Sequence, residues 1–206
     1  MRTLVIDSAT EACSVALYDD DELLAGEHAM LGRGHAEQLV PMIARLPDRG
    51  KAQRIAVARG PGSFTGVRVG LAAARGLALA WGAQLVGYPT LALVAAMARK
   101  EVGAQALSVV MTGGHGEWFV ESFDATGATS LPLASMKPDD AVEKLADVTI
   151  AGSQAEAFFA ARGTGNALPL WPDARAFHLL PEFALGEDIA PIYGRGPDAK
   201  LPANAR

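Results

Sequence analysis

The sequence predicts an α/β protein in which a mixed sheet carries helices on its faces. Three observations point there. The first 30 residues read as three short strands joined by tight acidic turns, helix and strand patterns then alternate, and the second half looks like a reduced version of the first. With 206 residues, half of them hydrophobic and a fifth charged, the chain can bury an ordinary core as one domain or two small lobes.

Taken in order, residues 3–6 (TLVI) form an apolar run closed by Asp7, Ser8, Ala9 and Thr10. The run 13–18 follows, then the acidic turn at Asp19, Asp20 and Asp21, then a third run at 22–28, which together make a meander. Residues 35–46 place Ala36, Leu39, Val40, Ile43 and Leu46 on one helical face, with Pro41 expected to kink the helix. A buried strand at 55–58 (IAVA) leads into the glycine-rich stretch RGPGSFTGVRVG at 59–70, from which a long Ala-rich helix runs over 65–81 and stops at Gly82. A short strand at 85–87 precedes a helix at 91–100, for which Thr90 is the expected N-cap. In the second half, strands at 106–111 and 117–123 flank a glycine turn, a helix spans 138–145, a strand 148–151 and a helix 155–162. The tail PIYGRGP, from Pro191, should be irregular.

The formal net charge of -5 and a pI near 5.4 argue against a chain that grips nucleic acid alone, since phosphate neutralisation needs clustered Lys and Arg. The single cysteine, Cys13, sits in an apolar run and reads as a buried thiol, which fits a reducing compartment. Three apolar residues before Asp7 are too few for a signal-peptide core, and no segment reaches the ~18 apolar residues of a membrane span. A cytoplasmic protein without a membrane partner is expected.

The glycine-rich stretch allows two functional readings. A strand running through glycines into a helix presents free N–H groups suited to an anion, with Gly60, Gly62, Ser63 and Thr65 as donors and Asp7, Ser8 and Thr10 as a facing phosphate or metal group. Neither the Walker loop nor the dinucleotide fingerprint is present, which weakens that reading. Alternatively, Gly66, Gly70, Ala73 and Ala80 form a small-residue helix face against which a second helix backbone could dock. The plainer possibility is that both faces of the helix are internal core. The histidines at 28, 35, 115 and 178 include no i, i+4 pair, so a histidine-built metal site is not expected, nor is a serine nucleophile elbow present.

The start MRTLVIDSATEACSVALYD, the segment RGHAEQLVPMI, and above all ARGPGSFTGVRVGLAAARGLALA followed by GYPTLALVAAMA resemble the TsaB (YeaZ) family, subunits of the bacterial machinery that forms threonylcarbamoyladenosine in tRNA. The resemblance covers residues 1 to about 98 closely, and PIYGR at Pro191, Tyr193 and Arg195 is similar to the family's closing pattern. It implies an actin-like ATPase fold with two lobes of ribonuclease-H-like topology, here 1–103 and 104–206. It further implies a non-catalytic relative of TsaD with no cofactor of its own. Such a chain would dock on TsaD and, with the ATPase TsaE, support transfer of a threonylcarbamoyl group to N6 of the adenosine beside the anticodon. Transfer RNA would be met only through the complex, ATP would act at the level of the complex, and the chain alone would form a homodimer. The implied partner face comprises His35, Leu39, Met42, Ile43, Gly66, Gly70, Ala73 and Leu77. Leu39 stands where catalytic relatives carry a second histidine four residues after the first, and Thr112, Gly113 and Gly114 replace a charged triplet. The alternative to a scaffold is an independent ATP-binding enzyme, such as a small kinase, built on Asp7 and the loop at 60–65.

Overall fold

Strand β1 (Arg2–Asp7) is buried on both faces, as suits the middle of a sheet covered on both sides, and that is where it lies. It pairs antiparallel with β2 (Ala12–Asp19), which pairs antiparallel with β3 (Glu22–Met30). On its other edge β1 pairs parallel with β4 (Arg54–Ala58), and β4 with β5 (Gln84–Tyr88), giving the order β3-β2-β1-β4-β5. The structure, a computed structural model, describes residues 1–194. Of the PIYGR pattern, Pro191 to Gly194 are described and Arg195 falls outside the described residues.

Helices α1 (His35–Arg45) and α2 (Phe64–Trp81) pack on one face of this sheet and on each other. Helix α1 carries Pro41 within its span without being broken there. Leu4 and Ile6 point toward these helices, while Thr3, Val5 and Asp7 alternate to the opposite face. That second face is covered by a short 3-10 helix at Ala174–Leu179, which the sequence reading missed. Its Ala174 N–H donates to Ser14 Oγ (2.9 Å), the Tyr18 hydroxyl donates to the Ala174 carbonyl (3.2 Å), and Phe177 lies between the rings of Tyr18 and Tyr88.

Helix α3 (Thr90–Val102) is apolar nearly all round and buried, as a helix shared by two layers must be. Leu93 joins the first core, whereas Leu91, Val94, Ala95 and Ala98 join a second core with Leu107 and Val109. Thr90 is not its N-cap: it is the first helical residue, Pro89 holds the cap position, and no side-chain hydrogen bond caps the helix.

The second sheet contains β6 (Leu107–Thr112), β7 (Trp118–Phe123), β8 (Thr129–Met136), β9 (Thr149–Ala151) and β10 (Asn166–Leu168). Its order, β8-β7-β6-β9-β10, repeats the antiparallel meander and parallel extension of the first, with α4 (Pro138–Lys144) and α5 (Ala155–Arg162) attached. The chain then returns to the first sheet through Phe177 and the segment 186–194, so the first lobe gains a C-terminal contribution that one division at 103/104 does not assign to it. Among the described residues no helix is long and apolar enough to cross a membrane.

Candidate functional site

The glycines of RGPGSFTGVRVG serve a close internal approach. A Cβ on Gly62 would overlap the Ala9 carbonyl, one on Gly66 the Ser8 carbonyl, and one on Gly70 the Ser8 hydroxyl. Helix α2 therefore rests its first two turns directly on the Ser8-Ala9 turn at the end of β1. Hydrogen bonds fasten the contact: the Ser63 N–H donates to the Ala9 carbonyl (2.7 Å), and the Ser8 hydroxyl donates to the Gly66 carbonyl (2.9 Å). Ser63 is also the N-cap, its Oγ accepting from the Gly66 N–H at 3.2 Å. The peptide between Gly60 and Pro61 is cis.

Asp7 does not face this loop. Alternation along β1 turns it to the opposite side from α2, where it is 1 % exposed. Its carboxylate accepts from the Ala9 N–H (3.0 Å) and the Tyr88 hydroxyl (3.3 Å), with no cation beside it. Burial pushes its pKa up to about 7, the two hydrogen bonds opposing that rise only in part. Ser8 is spent on α2, and Thr10 Oγ1 accepts from the Ala12 N–H at 3.2 Å.

A cleft of about 920 Å³ opens between the two lobes. Thr10, Gly62 and Ser63 line it, while Asp7, Ser8, Gly60 and Thr65 do not. The phosphate set read from sequence is thus divided between core and cleft. Across from the glycine loop stand Thr112, Gly113, Gly114 and His115, the turn between β6 and β7. Sequence reasoning missed the aromatic wall: the Phe64 ring stacks on Tyr193 at 6.1 Å, and the Arg68 guanidinium lies 3.1 Å from the Phe64 centroid while donating to the Tyr193 hydroxyl at 2.7 Å. The available signal was one aromatic, Phe64, set among small polar residues, and another, Tyr193, in the irregular tail. Among the described residues no three His, Cys, Asp or Glu side chains gather as a metal site requires.

The helix faces also differ from expectation. His35, Leu39, Met42 and Ile43 of α1 and Gly66 and Gly70 of α2 are buried against the chain's own sheet, so these six cannot form an outward docking face. Ala36 and Val40, expected on the inner face of α1, are exposed. What α2 shows outward is Phe64, Thr65 and Arg68 near its start and Ala72, Arg75, Gly76, Leu79 and Ala80 further along, with Ala73 and Leu77 half-buried beside them. Leu79 is 88 % exposed.

Two sheets of identical strand order, joined by a shared helix and enclosing a cleft, define a protein of the actin-like ATPase fold. The family model described as TsaD, tRNA N6-adenosine threonylcarbamoyltransferase, matches residues 29–180, and the chain belongs to that family, standing within it among the TsaB (YeaZ) proteins. The tRNA threonylcarbamoyladenosine biosynthesis protein TsaB of Escherichia coli K12 is 39% identical over 122 residues, which are 57% of this chain and 52% of that one. The chain thus spans about half the length of that relative. Two solved Pseudomonas aeruginosa structures are similar throughout. One, described as similar to the peptidase YeaZ, has a TM-score of 0.78 at 28% identity and covers 94% of this chain and 99% of that one. The other, YeaZ, has a TM-score of 0.75 at 27% identity over 93% and 99%.

Proposed function

We propose that this chain is a non-catalytic subunit of the machinery that forms threonylcarbamoyladenosine in tRNA, and that it acts by docking on TsaD through the outer faces of α1 and α2. One observation carries the docking surface. Gly76 sits in the interior of an 18-residue helix, exposed, and a Cβ placed there would meet nothing within 4 Å. Glycine at such a position costs about 1 kcal/mol relative to alanine, and no contact among the described residues offsets that. A partner backbone approaching at Gly76 would. The exposed Ala72, Leu79 and Ala80 around it are apolar, and the neighbouring Arg75 donates to the Ile189 carbonyl, so a partner helix can pack closely by dispersion contacts.

The non-catalytic reading rests on Asp7 being turned into the core, away from the cleft. The net charge of -5 agrees with tRNA being held by another subunit.

The test is Gly76→Leu. It should leave the circular dichroism spectrum unchanged and abolish co-elution with TsaD, together with threonylcarbamoyladenosine formation by TsaD and TsaE. A stable interface of this kind buries on the order of 1,200 to 2,000 Å². The same strip should pair copies of the isolated chain, so wild type gives a dimer mass by light scattering and the variant a monomer. Undiminished co-elution with TsaD refutes the surface.

A second reading, an independent ATP-binding enzyme, draws on the cleft, where Thr10, Ser63 and Arg68 converge. Calorimetry with ATP and magnesium on the isolated chain separates the two, since a saturable heat supports the enzyme and its absence leaves ATP to TsaE.

A further inference from the structure

We infer that residues 186–194 form a strap that sets the opening between the two lobes, with Tyr193 as its catch. The segment has neither helix nor strand of its own, yet it is tied to the first lobe at almost every step. Gly186 and Gly87 exchange two backbone hydrogen bonds (2.8 and 3.0 Å) on the free edge of β5. Arg59 donates from Nε to the Ala190 carbonyl (2.9 Å) and from Nη2 to Asp188 (2.7 Å), and its own carbonyl accepts from the Ile192 N–H (2.7 Å). Arg75 Nη2 donates to the Ile189 carbonyl at 3.3 Å.

The strap ends at the catch. Tyr193 is held by Arg68 and Phe64, both on the first turns of α2, as described above. The next residue leaves the first lobe: a Cβ added at Gly194 would overlap the ring of Phe119, which belongs to β7 and the core of the second lobe. Ile192, Tyr193 and Gly194 therefore form a continuous wall of the cleft, anchored to α2 on one side and pressed against β7 on the other.

The mechanical role follows from where the ties are strong. Behind Tyr193 the strap is fixed chiefly by backbone hydrogen bonds to Gly87 and Arg59, so it cannot follow the second lobe if that lobe swings away. At the catch the contacts are exposed side chains, Phe64 at 65% and Tyr193 at 51% exposure, which break at lower cost. Releasing Tyr193 from α2 therefore also frees Gly194, the residue through which the strap presses on Phe119 of the second lobe. While the catch is closed, the Tyr193 wall faces the Thr112 to His115 turn and limits access to the cleft.

The test uses the full chain labelled for distance measurement at Lys51→Cys in the first lobe and Glu156→Cys in the second, both exposed, with the single native cysteine buried. Tyr193→Ala and Arg68→Ala should lengthen and broaden the interlobe distance distribution, and Tyr193→Phe, which keeps the ring, should do so less. Amide exchange at Ile192 should quicken roughly five- to thirtyfold in Tyr193→Ala, the factor that one or two lost tertiary ties carry, while amides of β1 stay as in wild type. An unchanged distance distribution in Tyr193→Ala overturns the proposal. So does equal acceleration in β1, which would make the effect global unfolding.

Discussion

Replacing Asp7 with asparagine should stabilise the protein above neutral pH, although the aspartate stands in the most recognisable stretch of the N-terminus. The folded carboxyl titrates at about 7 against an ordinary value of 3.8, because it is buried with only a peptide N–H and the Tyr88 hydroxyl to solvate its charge. Its folded pKa is raised, so between these two values the folded state keeps a proton that the unfolded chain has released. Stability therefore falls as pH climbs through that window and levels off above about 7. A gap of about three pH units corresponds to a loss of roughly 4 kcal/mol, an order of magnitude that asparagine escapes because it never ionises. The local geometry accepts the amide. Its oxygen can take the Ala9 N–H, its NH₂ can donate to the Tyr88 oxygen, and the Tyr88 hydroxyl still has the Ile6 carbonyl at 3.2 Å. Urea denaturation of both proteins from about pH 4 to pH 8 reads the difference, which should be near zero at the acid end and grow to several kcal/mol at the alkaline end. A variant less stable than wild type at pH 8, or a difference that does not change with pH, would refute the reasoning and return Asp7 to a role that needs its charge.

Two glycines on one helix should respond with opposite signs. Gly66→Ala drives a methyl into the Ser8 carbonyl and should cost about 1 to 3 kcal/mol, whereas Gly76→Ala meets open space and should add up to about 1 kcal/mol, both measured as shifts in thermal midpoint of the isolated chain. If both lower the midpoint, the outward placement of Gly76 is wrong. Phe177→Ala removes the ring packed between Tyr18 and Tyr88 and should cost about 3 to 5 kcal/mol in chemical denaturation; a loss under about 1 kcal/mol would show that the C-terminal return does not hold the first lobe together.

The alternation of strands and helices was legible because hydrophobic periodicity reports it directly, and α5 (Ala155–Arg162) matches its expected bounds. Strand β8 (Thr129–Met136) escaped notice because Pro132 interrupts it and an edge strand tolerates that interruption. The 3-10 helix at Ala174–Leu179 gave no periodic signal, and its importance comes from partners such as Ser14 and Tyr18 that lie about 160 residues away in sequence. The division of the phosphate candidates was equally hidden. Asp7 and Ser8 are neighbours in the chain, yet period-two alternation sends one to the core under Tyr88 and the other to α2.

The faces of α2 show why composition alone could not separate its buried glycines from its exposed one. Glycine carries no hydropathy preference, so Gly66, Gly70 and Gly76 look equivalent in sequence, and only the neighbour of each tells them apart. At 66 and 70 the neighbour is the Ser8-Ala9 turn, and the missing side chain permits contact within the chain. At 76 there is no neighbour within 4 Å among the described residues, which is what the proposed docking partner would supply. The arginines divide in the same way: Arg68 and Arg75, spaced through an otherwise small and apolar helix, are held by Tyr193 and the Ile189 carbonyl rather than left to meet an anion. Helix α2 thus binds the turn after β1 on its inner side and the strap along its flank, leaving its outward strip around Gly76 as the surface that the described residues do not cover.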